Sequence, residues 1–261
     1  MSLTYSSYLE LDELLSLQKP KSDDHDEILF IIIHQSYELW FKQILHEMDY
    51  MKKLLVKNDL PRCLHTMKRI LTILKMLVSK IDILETMTPL EFLTFRDRLE
   101  SASGFQSPQF RELEFMLGYK NKNAIQRFPT GSEHRIRIEK RFYEATVWDS
   151  FLKYLSLNNY QIDNDMLNRD FSQSVKPSEN VQNVLIDVYQ NNPSLSQLCE
   201  LFVDMDEGFQ EWRYRHVKMV ERTIGTKQGT GGSDGLQYLS STLFKPFFPD
   251  LWIIRKDFQK Q

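Results

Sequence analysis

The chain has 261 residues, of which 41% are apolar and 26% are charged, enough to build a substantial core in one large domain or two small ones. Lysine and arginine number 33 against 36 aspartate and glutamate, a net charge of −3, so no chain-wide basic field favours nucleic acid or an anionic membrane. We therefore expect chemistry on a small molecule, without a nucleic-acid or membrane partner.

Two features of the sequence indicate a cytoplasmic protein. Cys63 and Cys199 stand alone in apolar helical segments, without the paired spacing of a zinc site or a disulfide framework. The first residues carry Glu10, Asp12 and Glu13 where a signal peptide has basic residues and then an apolar core. The longest apolar run is far shorter than the roughly 20 residues that a membrane-spanning helix needs.

The spacing of apolar residues predicts a mainly α fold. Apolar positions recur at intervals of three and four along most of the chain, and 9 glycines leave little material for hairpin turns. No internal repeat or long flexible linker is evident, so we predict a single domain over 1–261, a long-helix bundle with additional helices. The predicted helices cover 8–17, 25–56, 60–84, 89–102, 109–117, 133–157, 178–191 and 194–224.

The long helix predicted over 25–56 carries a histidine within an apolar stripe. In the stretch FIIIHQSYELWFKQ (30–43), His34 shares its helical face with Phe30, Tyr37 and Phe41. On its own, this pattern is more typical of a hydrogen-bonded core histidine than of a reactive one.

The helix predicted from residue 89 carries an arginine on its apolar face. The helix begins at TPLE (88–91), a capping box with proline at the first helical position. Arg96 then lies in a row with Phe92, Leu99 and Ser103. A buried guanidinium needs an anionic partner, and arginine binds carboxylates through two parallel hydrogen bonds. The pattern therefore indicates either a ligand carboxylate or an arginine that reaches solvent from the edge of the core.

A second histidine lies on the helix predicted over 194–224. His216 is the one ionisable member of an apolar stripe that includes Phe202, Met205, Phe209 and Trp212. Such a wall suits a flat macrocycle, and a neutral imidazole is a good axial ligand for heme iron. Most stripes of this kind are simply core, so the pattern alone leaves both interpretations open.

A glycine-rich stretch follows this helix. GTGGS (229–233) offers backbone N–H groups and the hydroxyl of Thr230, which can close over the polar end of a ligand. The stretch matches neither the phosphate-binding Walker pattern nor the dinucleotide fingerprint. An ordinary flexible loop is equally compatible with it.

Several other kinds of catalytic site are excluded by missing motifs. The chain has no ExxH for a di-iron centre and no GxSxG for a serine hydrolase. His46 and Glu47 begin a zinc-protease pattern, but Tyr50 occupies the position of its second histidine. A CxxCH site is also missing, so any heme would be bound non-covalently.

Four stretches together resemble the tryptophan 2,3-dioxygenase family. They lie in the family's order with near-family spacing, which is far more specific than any single histidine, although 119–200 carries little of the signal. The stretches are TYSSYLELDELLSLQ (4–18), HDEILFIIIHQSYELWFKQ (25–43), FRDRLESASGFQSPQFRELE (95–114) and FQEWRYRHVKMVERTIGTKQGTGGSDGLQYL (209–239).

The resemblance implies a helical cytoplasmic homotetramer that binds heme b, ferrous when active. It implies that the enzyme opens the indole ring of L-tryptophan with O₂ to N-formyl-L-kynurenine, the first step of tryptophan catabolism by the kynurenine pathway. Two alternatives stay open: a related heme enzyme that inserts one oxygen atom into a substituted tryptophan, and a non-catalytic heme-binding protein. Retention of Arg96 and of the GTGGS stretch weighs against the last.

The resemblance also implies a role for each matching residue. His216 corresponds to the proximal ligand of the heme iron, and His34 to the distal histidine that contacts the indole N–H. Trp212 belongs to the wall around the cofactor, and Ser103 supplies a hydroxyl near both heme and substrate. The other implied substrate contacts are Arg96 for the carboxylate, Thr230 for the ammonium, Phe30, Phe92 and Leu99 for the pocket walls, and Tyr5 and Tyr8 from the N-terminal segment (1–20) of a neighbouring subunit.

The sequence departs from the family pattern at three places. Ser6 and Ser7 stand where the family commonly has two glycines, and Asp234 adds a negative charge after the glycine-rich stretch. Phe92 stands where some members carry a tyrosine that helps to bind the substrate carboxylate. These changes remove no essential element, and together they leave room for altered affinity or for a substituted tryptophan as substrate.

Overall fold

The computed structural model describes residues 3–100, 102–225 and 240–258. The predicted mainly α fold is confirmed: most of the described residues are helical, and no strand occurs within these ranges. The α-helices are α1 (Tyr5–Leu9), α2 (Leu11–Leu15), α3 (His25–Val56), α4 (Leu60–Leu84), α5 (Pro89–Arg96), α6 (Pro108–Met116), α7 (Glu133–Tyr143), α8 (Val147–Leu157), α9 (Asn164–Leu167), α10 (Glu179–Asn191), α11 (Pro193–Ile224) and α12 (Pro249–Ile253).

The centre of the molecule is the packing of the long helix α4 against both α3 and α11. Each of these helices buries one apolar stripe, and full burial of a leucine or isoleucine side chain stabilises the fold by about 1.5–3 kcal/mol. α11 approaches α4 closely at Gly208, where a Cβ atom would lie 2.8 Å from Cδ2 of Leu74. This close contact fixes the long helix that carries His216.

The prediction of one helix over 133–157 is wrong, because the chain turns between α7 and α8. Thr146 caps the start of α8 through a capping box with Asp149, and the carbonyl groups at the end of α7 find a different donor. Nζ of Lys120 donates to the carbonyl oxygens of Arg141, Phe142 and Glu144 at 2.9, 3.0 and 3.0 Å. A buried lysine from outside the segment thus stabilises a break that apolar spacing does not reveal.

Other predicted boundaries also differ from the structure. The helix predicted over 89–102 ends at Arg96 and continues only as a short 3₁₀ turn (Asp97–Leu99), after which Glu100 has a φ of 49°. The helix predicted over 8–17 is instead α1 and α2, separated by Glu10 with a φ of 48°. Two short helices, α9 and α12, were not predicted because each is too short to show a period.

No helix in the described ranges is both long enough and apolar enough to span a membrane. The assignment of 1–261 to a single domain stays a prediction.

Candidate active site

A cavity of about 250 Å³ lies between α3, α5, α6 and α11, and the segment 102–107 completes its wall. An apolar cavity of about 150 Å³ already accommodates benzene, so this space is large enough for a small aromatic ligand. Most residues singled out in the sequence border it: Phe30, His34, Phe92, Arg96, Leu99, Ser103, Trp212 and His216.

Two of the predicted site residues do not line this cavity, and a third is not described. Thr230 lies outside the described ranges. Tyr5 and Tyr8 lie on α1 with 76% and 70% of their surface exposed, away from the cavity of their own chain. Their assignment to the active site of a neighbouring subunit stays a prediction.

His34 is an exposed residue of α3, and its side chain borders the cavity. Its Nδ1 lies 2.7 Å from the carbonyl oxygen of Phe30, one turn earlier on α3. A carbonyl oxygen can only accept, so Nδ1 carries the proton and donates, and Nε2 of the neutral ring is left as an acceptor. The backbone of α3 therefore selects the tautomer in which His34 can accept a hydrogen bond from a ligand.

The charge state of His34 supports the same role. Burial lowers the pKa of His34 below its ordinary value, while the carbonyl of Phe30 and the carboxylate of Glu38 act in the opposite direction. Because burial outweighs the other two, the ring is neutral at pH 7, and its acceptor nitrogen is available.

His216 borders the same cavity from α11. Burial, together with the proximity of His34, lowers the pKa of His216 to about 4, so the imidazole is neutral at physiological pH. Its Nδ1 is buried and has no hydrogen-bond partner in the described ranges. An unsatisfied buried nitrogen is uncommon and costs free energy, so this ring is more consistent with a ligand-binding role than with an ordinary core histidine.

Aromatic rings surround His216. The ring of Trp212, one turn earlier on α11, lies with its centroid 5.1 Å from that of His216. Phe110 of α6 lies 5.0 Å from Trp212, and Phe41 of α3 lies 6.2 Å from it, again between ring centroids. Three helices thus contribute one continuous apolar wall beside the histidine.

Arg96 borders the cavity at the end of α5, next to an aromatic cluster. Phe92 and Phe95 on α5 pack against Phe30 of α3, with centroid distances of 5.8 and 5.6 Å. The capping box of Thr88 at the other end of α5 is present as predicted. Because the helix gives way to a 3₁₀ turn after Arg96, the following segment bends back along the cavity and brings Ser103 to its wall.

Several polar residues at the cavity were not found from the sequence. Arg111 and Glu114 on α6 are both about 4% exposed and form an ion pair of 2.5 Å. Arg213 on α11 is 3% exposed, and its Nη2 lies 3.9 Å from Oε1 of Glu114. Glu38, one turn after His34, accepts a hydrogen bond of 2.8 Å from Nε2 of Gln109. Charged residues of amphipathic helices are ordinarily exposed, so the sequence pattern does not indicate the burial of Arg111, Glu114 and Arg213.

These residues fit heme, the cofactor that the sequence resemblance implies. His216 offers a neutral imidazole with a nitrogen that no described residue satisfies, and the ring of Trp212 and its aromatic neighbours provide the flat apolar wall. Arg96 borders the same cavity, and its guanidinium is of the kind that binds carboxylates.

The fold and the cavity define a class of helical protein in which an apolar pocket is bordered by two neutral histidines and by arginine. Comparison with known proteins identifies the family within this class. The family model of tryptophan 2,3-dioxygenase matches residues 1–133 and 151–257. The chain belongs to the tryptophan 2,3-dioxygenase family.

Similar relatives match almost the whole chain. It is 60% identical to the tryptophan 2,3-dioxygenase of Herpetosiphon aurantiacus over 98% of each chain. It is 53% identical to that of Anaeromyxobacter sp. (strain K), over 97% of this chain and 96% of the relative. Identity to the enzyme of Caulobacter vibrioides is 42% over 97% of each chain. The family resemblance noted in the sequence is therefore confirmed.

Proposed function

We propose that this protein opens the indole ring of L-tryptophan with O₂ to form N-formyl-L-kynurenine. The observation that carries the proposal is the cavity in which His34, Arg96 and His216 meet, in a chain whose relatives are named tryptophan 2,3-dioxygenases. The reaction is the first step of tryptophan degradation. The homotetramer and the cytoplasmic location stay predictions from the resemblance.

His216 and Trp212 would hold heme b, His216 as a ligand of the iron and Trp212 as part of the apolar wall. When bound in the ferrous form, heme supplies the activation of O₂, which amino-acid side chains cannot provide. The part of the protein is to bind tryptophan, to orient its indole ring and to keep water out.

Arg96 and His34 fix the two ends of the substrate. The guanidinium of Arg96 binds the α-carboxylate through paired, charge-assisted hydrogen bonds. Nε2 of His34 accepts the hydrogen bond of the indole N–H, because Nδ1 already donates to Phe30. Two contacts at opposite ends restrict both rotation and translation of the substrate, and such positioning lowers the entropic part of the barrier.

The apolar wall selects for indole. Phe30, Phe92 and Leu99 border the cavity and form part of one cluster with Phe95. Their rings and side chains replace water around the benzene half of the substrate, so its transfer into the pocket is favourable. The proposed contact of Thr230 with the substrate ammonium is carried by the resemblance alone.

The direct test is the mass of the product. The protein is loaded with heme, reduced and given L-tryptophan with O₂, and the same mixture without O₂ is the control. We expect a product that has gained two oxygen atoms. A gain of one atom would instead identify an oxygen-inserting relative, and the absence of product beside a normal heme spectrum would identify a heme-binding protein.

We expect His34→Ala to lower kcat/KM for L-tryptophan by about 10–100-fold, since one hydrogen bond to the substrate in a buried site is lost. Heme binding should be retained, because His216, the residue that would bind the iron, lies on α11. Steady-state kinetics and the heme absorption spectrum measure the two effects. His46→Ala, an exposed histidine on the same helix, is the matched control. Heme-free His34→Ala protein would show that His34 has been misassigned as distal.

The affinity for L-tryptophan is expected to fall in acid. Protonated His34 has no acceptor nitrogen, and burial places the pKa of this ring below its ordinary value of 6.5. Affinity should therefore be constant from pH 8 to about 6.5 and decrease only at lower pH. Anaerobic titration with L-tryptophan across this range measures it. An equal acid decrease in His34→Ala would assign the titration to another group.

A further inference from the structure

The buried guanidinium of Arg213 connects three parts of the cavity wall. Arg213 lies on α11 and is only 3% exposed. Its Nη1 donates to the carbonyl oxygens of Thr242 and Lys245, both at 3.3 Å, and its Nη2 lies 3.9 Å from Oε1 of Glu114 on α6. The same guanidinium stacks on the ring of Phe247 at 4.6 Å. One side chain thus holds the segment 242–247 against α6 and α11.

A second attachment lies next to the first. Asp206, two turns before Arg213 on α11, is fully buried and accepts hydrogen bonds from the backbone N–H groups of Phe247 and Phe248 and from Nε1 of Trp252. Asp206 therefore fixes the far end of the segment. Arg213 fixes its near end, where Thr242 borders the cavity.

The near end of the segment 242–247 is the end that borders the cavity. Thr242 is 3% exposed and borders the cavity together with Arg96, His34 and Arg213. Thr242 is the last helical residue of the described stretch 240–242, and residues 243–246 after it form no regular helix. Arg213 donates to the carbonyl oxygens of Thr242 and Lys245 and so attaches both sides of this helix end to α11. Loss of the guanidinium would leave two carbonyl groups and the carboxylate of Glu114 with fewer partners in a buried place.

We propose that Arg213, with Glu114, is a positioning residue that sets the affinity for L-tryptophan by holding the 242–245 backbone as part of the cavity wall. The inference rests on the proposed function. Arg213 acts through Thr242 and the backbone, and it is not assigned a contact with the reacting atoms.

The test compares Arg213→Met with the heme-loaded parent chain. Methionine keeps much of the length of arginine but removes every donor, so we expect the Kd for L-tryptophan, measured anaerobically, to rise about tenfold, the typical effect of one lost charge-assisted interaction. kcat at saturating L-tryptophan should change by less than about twofold, as for a loss of uniform binding. Hydrogen exchange of the 240–250 backbone should accelerate, while that of α4 stays unchanged.

Three further variants keep the test decisive. Arg213→Lys retains the charge without the fork of donors and should give an intermediate Kd. Glu114→Gln keeps the shape of the glutamate and removes its charge. We expect it to raise the Kd for L-tryptophan and to accelerate hydrogen exchange of the 240–250 backbone, so it tests the proposal if Arg213→Met does not fold. Arg215→Met, two positions away, removes an arginine that pairs with Asp82 and Glu85 outside the cavity, and should leave the Kd unchanged.

The possible outcomes separate the two proposals. Faster exchange at 240–250 with an unchanged Kd would overturn the inference, because Arg213 would then be a purely structural residue. A lower kcat with an unchanged Kd would overturn it as well. If the parent chain neither binds nor oxidises L-tryptophan, the proposed function fails, and the exchange data alone decide whether Arg213 holds the segment.

Discussion

His216→Ala is expected to abolish the oxidation of L-tryptophan, the largest effect predicted for any single substitution in this protein. The variant should also lose the absorption spectrum of a histidine-ligated heme and retain little heme after purification. The reason is that, among the described histidines, only His34 and His216 border the cavity, and Nε2 of His34 is assigned to the indole N–H of the substrate. The measurements are heme content per chain and kcat.

A control and a partial rescue sharpen this result. His46→Ala removes an exposed histidine from α3 and should keep full heme content. Added imidazole can occupy the space left by the ring in His216→Ala and restore part of the ligated spectrum, since the ligand is then supplied from solution. An unchanged heme spectrum in His216→Ala would remove the central assignment of the site.

Arg96→Met should lower kcat/KM for L-tryptophan by about 100-fold, mostly through KM. A bidentate bond between guanidinium and carboxylate is among the strongest non-covalent contacts in a protein, and its loss leaves the substrate carboxylate without that partner in a largely apolar cavity. Heme content should be unaffected. Steady-state kinetics measure the effect, with tryptamine, which lacks the carboxylate, as a second substrate.

The behaviour of tryptamine distinguishes binding from folding. If Arg96 binds the carboxylate, the variant and the parent chain should bind tryptamine with similar affinity. Arg98→Met, an exposed arginine two positions further on, is the matched control and should behave like the parent chain. A variant that loses affinity for both ligands equally would contradict the assignment of Arg96 to the carboxylate.

Because residue 92 is a phenylalanine, Arg96 is the residue of α5 that we expect to bind the substrate carboxylate. Where some family members carry a tyrosine, this chain has a phenylalanine that is 8% exposed and packs edge-on against Phe95, with a centroid distance of 5.4 Å. The ring contributes apolar contact to the cavity but has no hydroxyl group to bind a carboxylate. Recognition of the carboxylate from α5 therefore depends on Arg96, which is why we expect the large effect of its removal.

The two histidines show which properties of the site a sequence pattern predicts and which it does not. Periodicity places His34 and His216 on apolar stripes, but such stripes are also the pattern of ordinary core residues. The structure adds the bond from Nδ1 of His34 to Phe30 and the unsatisfied Nδ1 of His216. Both depend on atomic positions of neighbouring groups, which a pattern of residue types does not contain.

The errors in the sequence-based helices have the same origin. The break between α7 and α8 depends on Lys120, which donates to three carbonyl groups from a distant place in the chain. The burial of Arg213 and Glu114 likewise depends on the packing of α11 beside α6. Local apolar spacing cannot predict a contact whose partner lies far away in the sequence.

The sequence by itself determined the helical class, the bounds of α3 and α4, and the family. It could do so because the spacing of apolar residues along the chain reflects the period of an α-helix, and because the family motifs are continuous stretches. Only the tertiary structure decided that Arg96, His34 and His216 share one cavity, which tautomer His34 adopts, and that Arg213 holds part of the wall. These properties arise from contacts between distant segments, and burial among those segments sets the charge of each group.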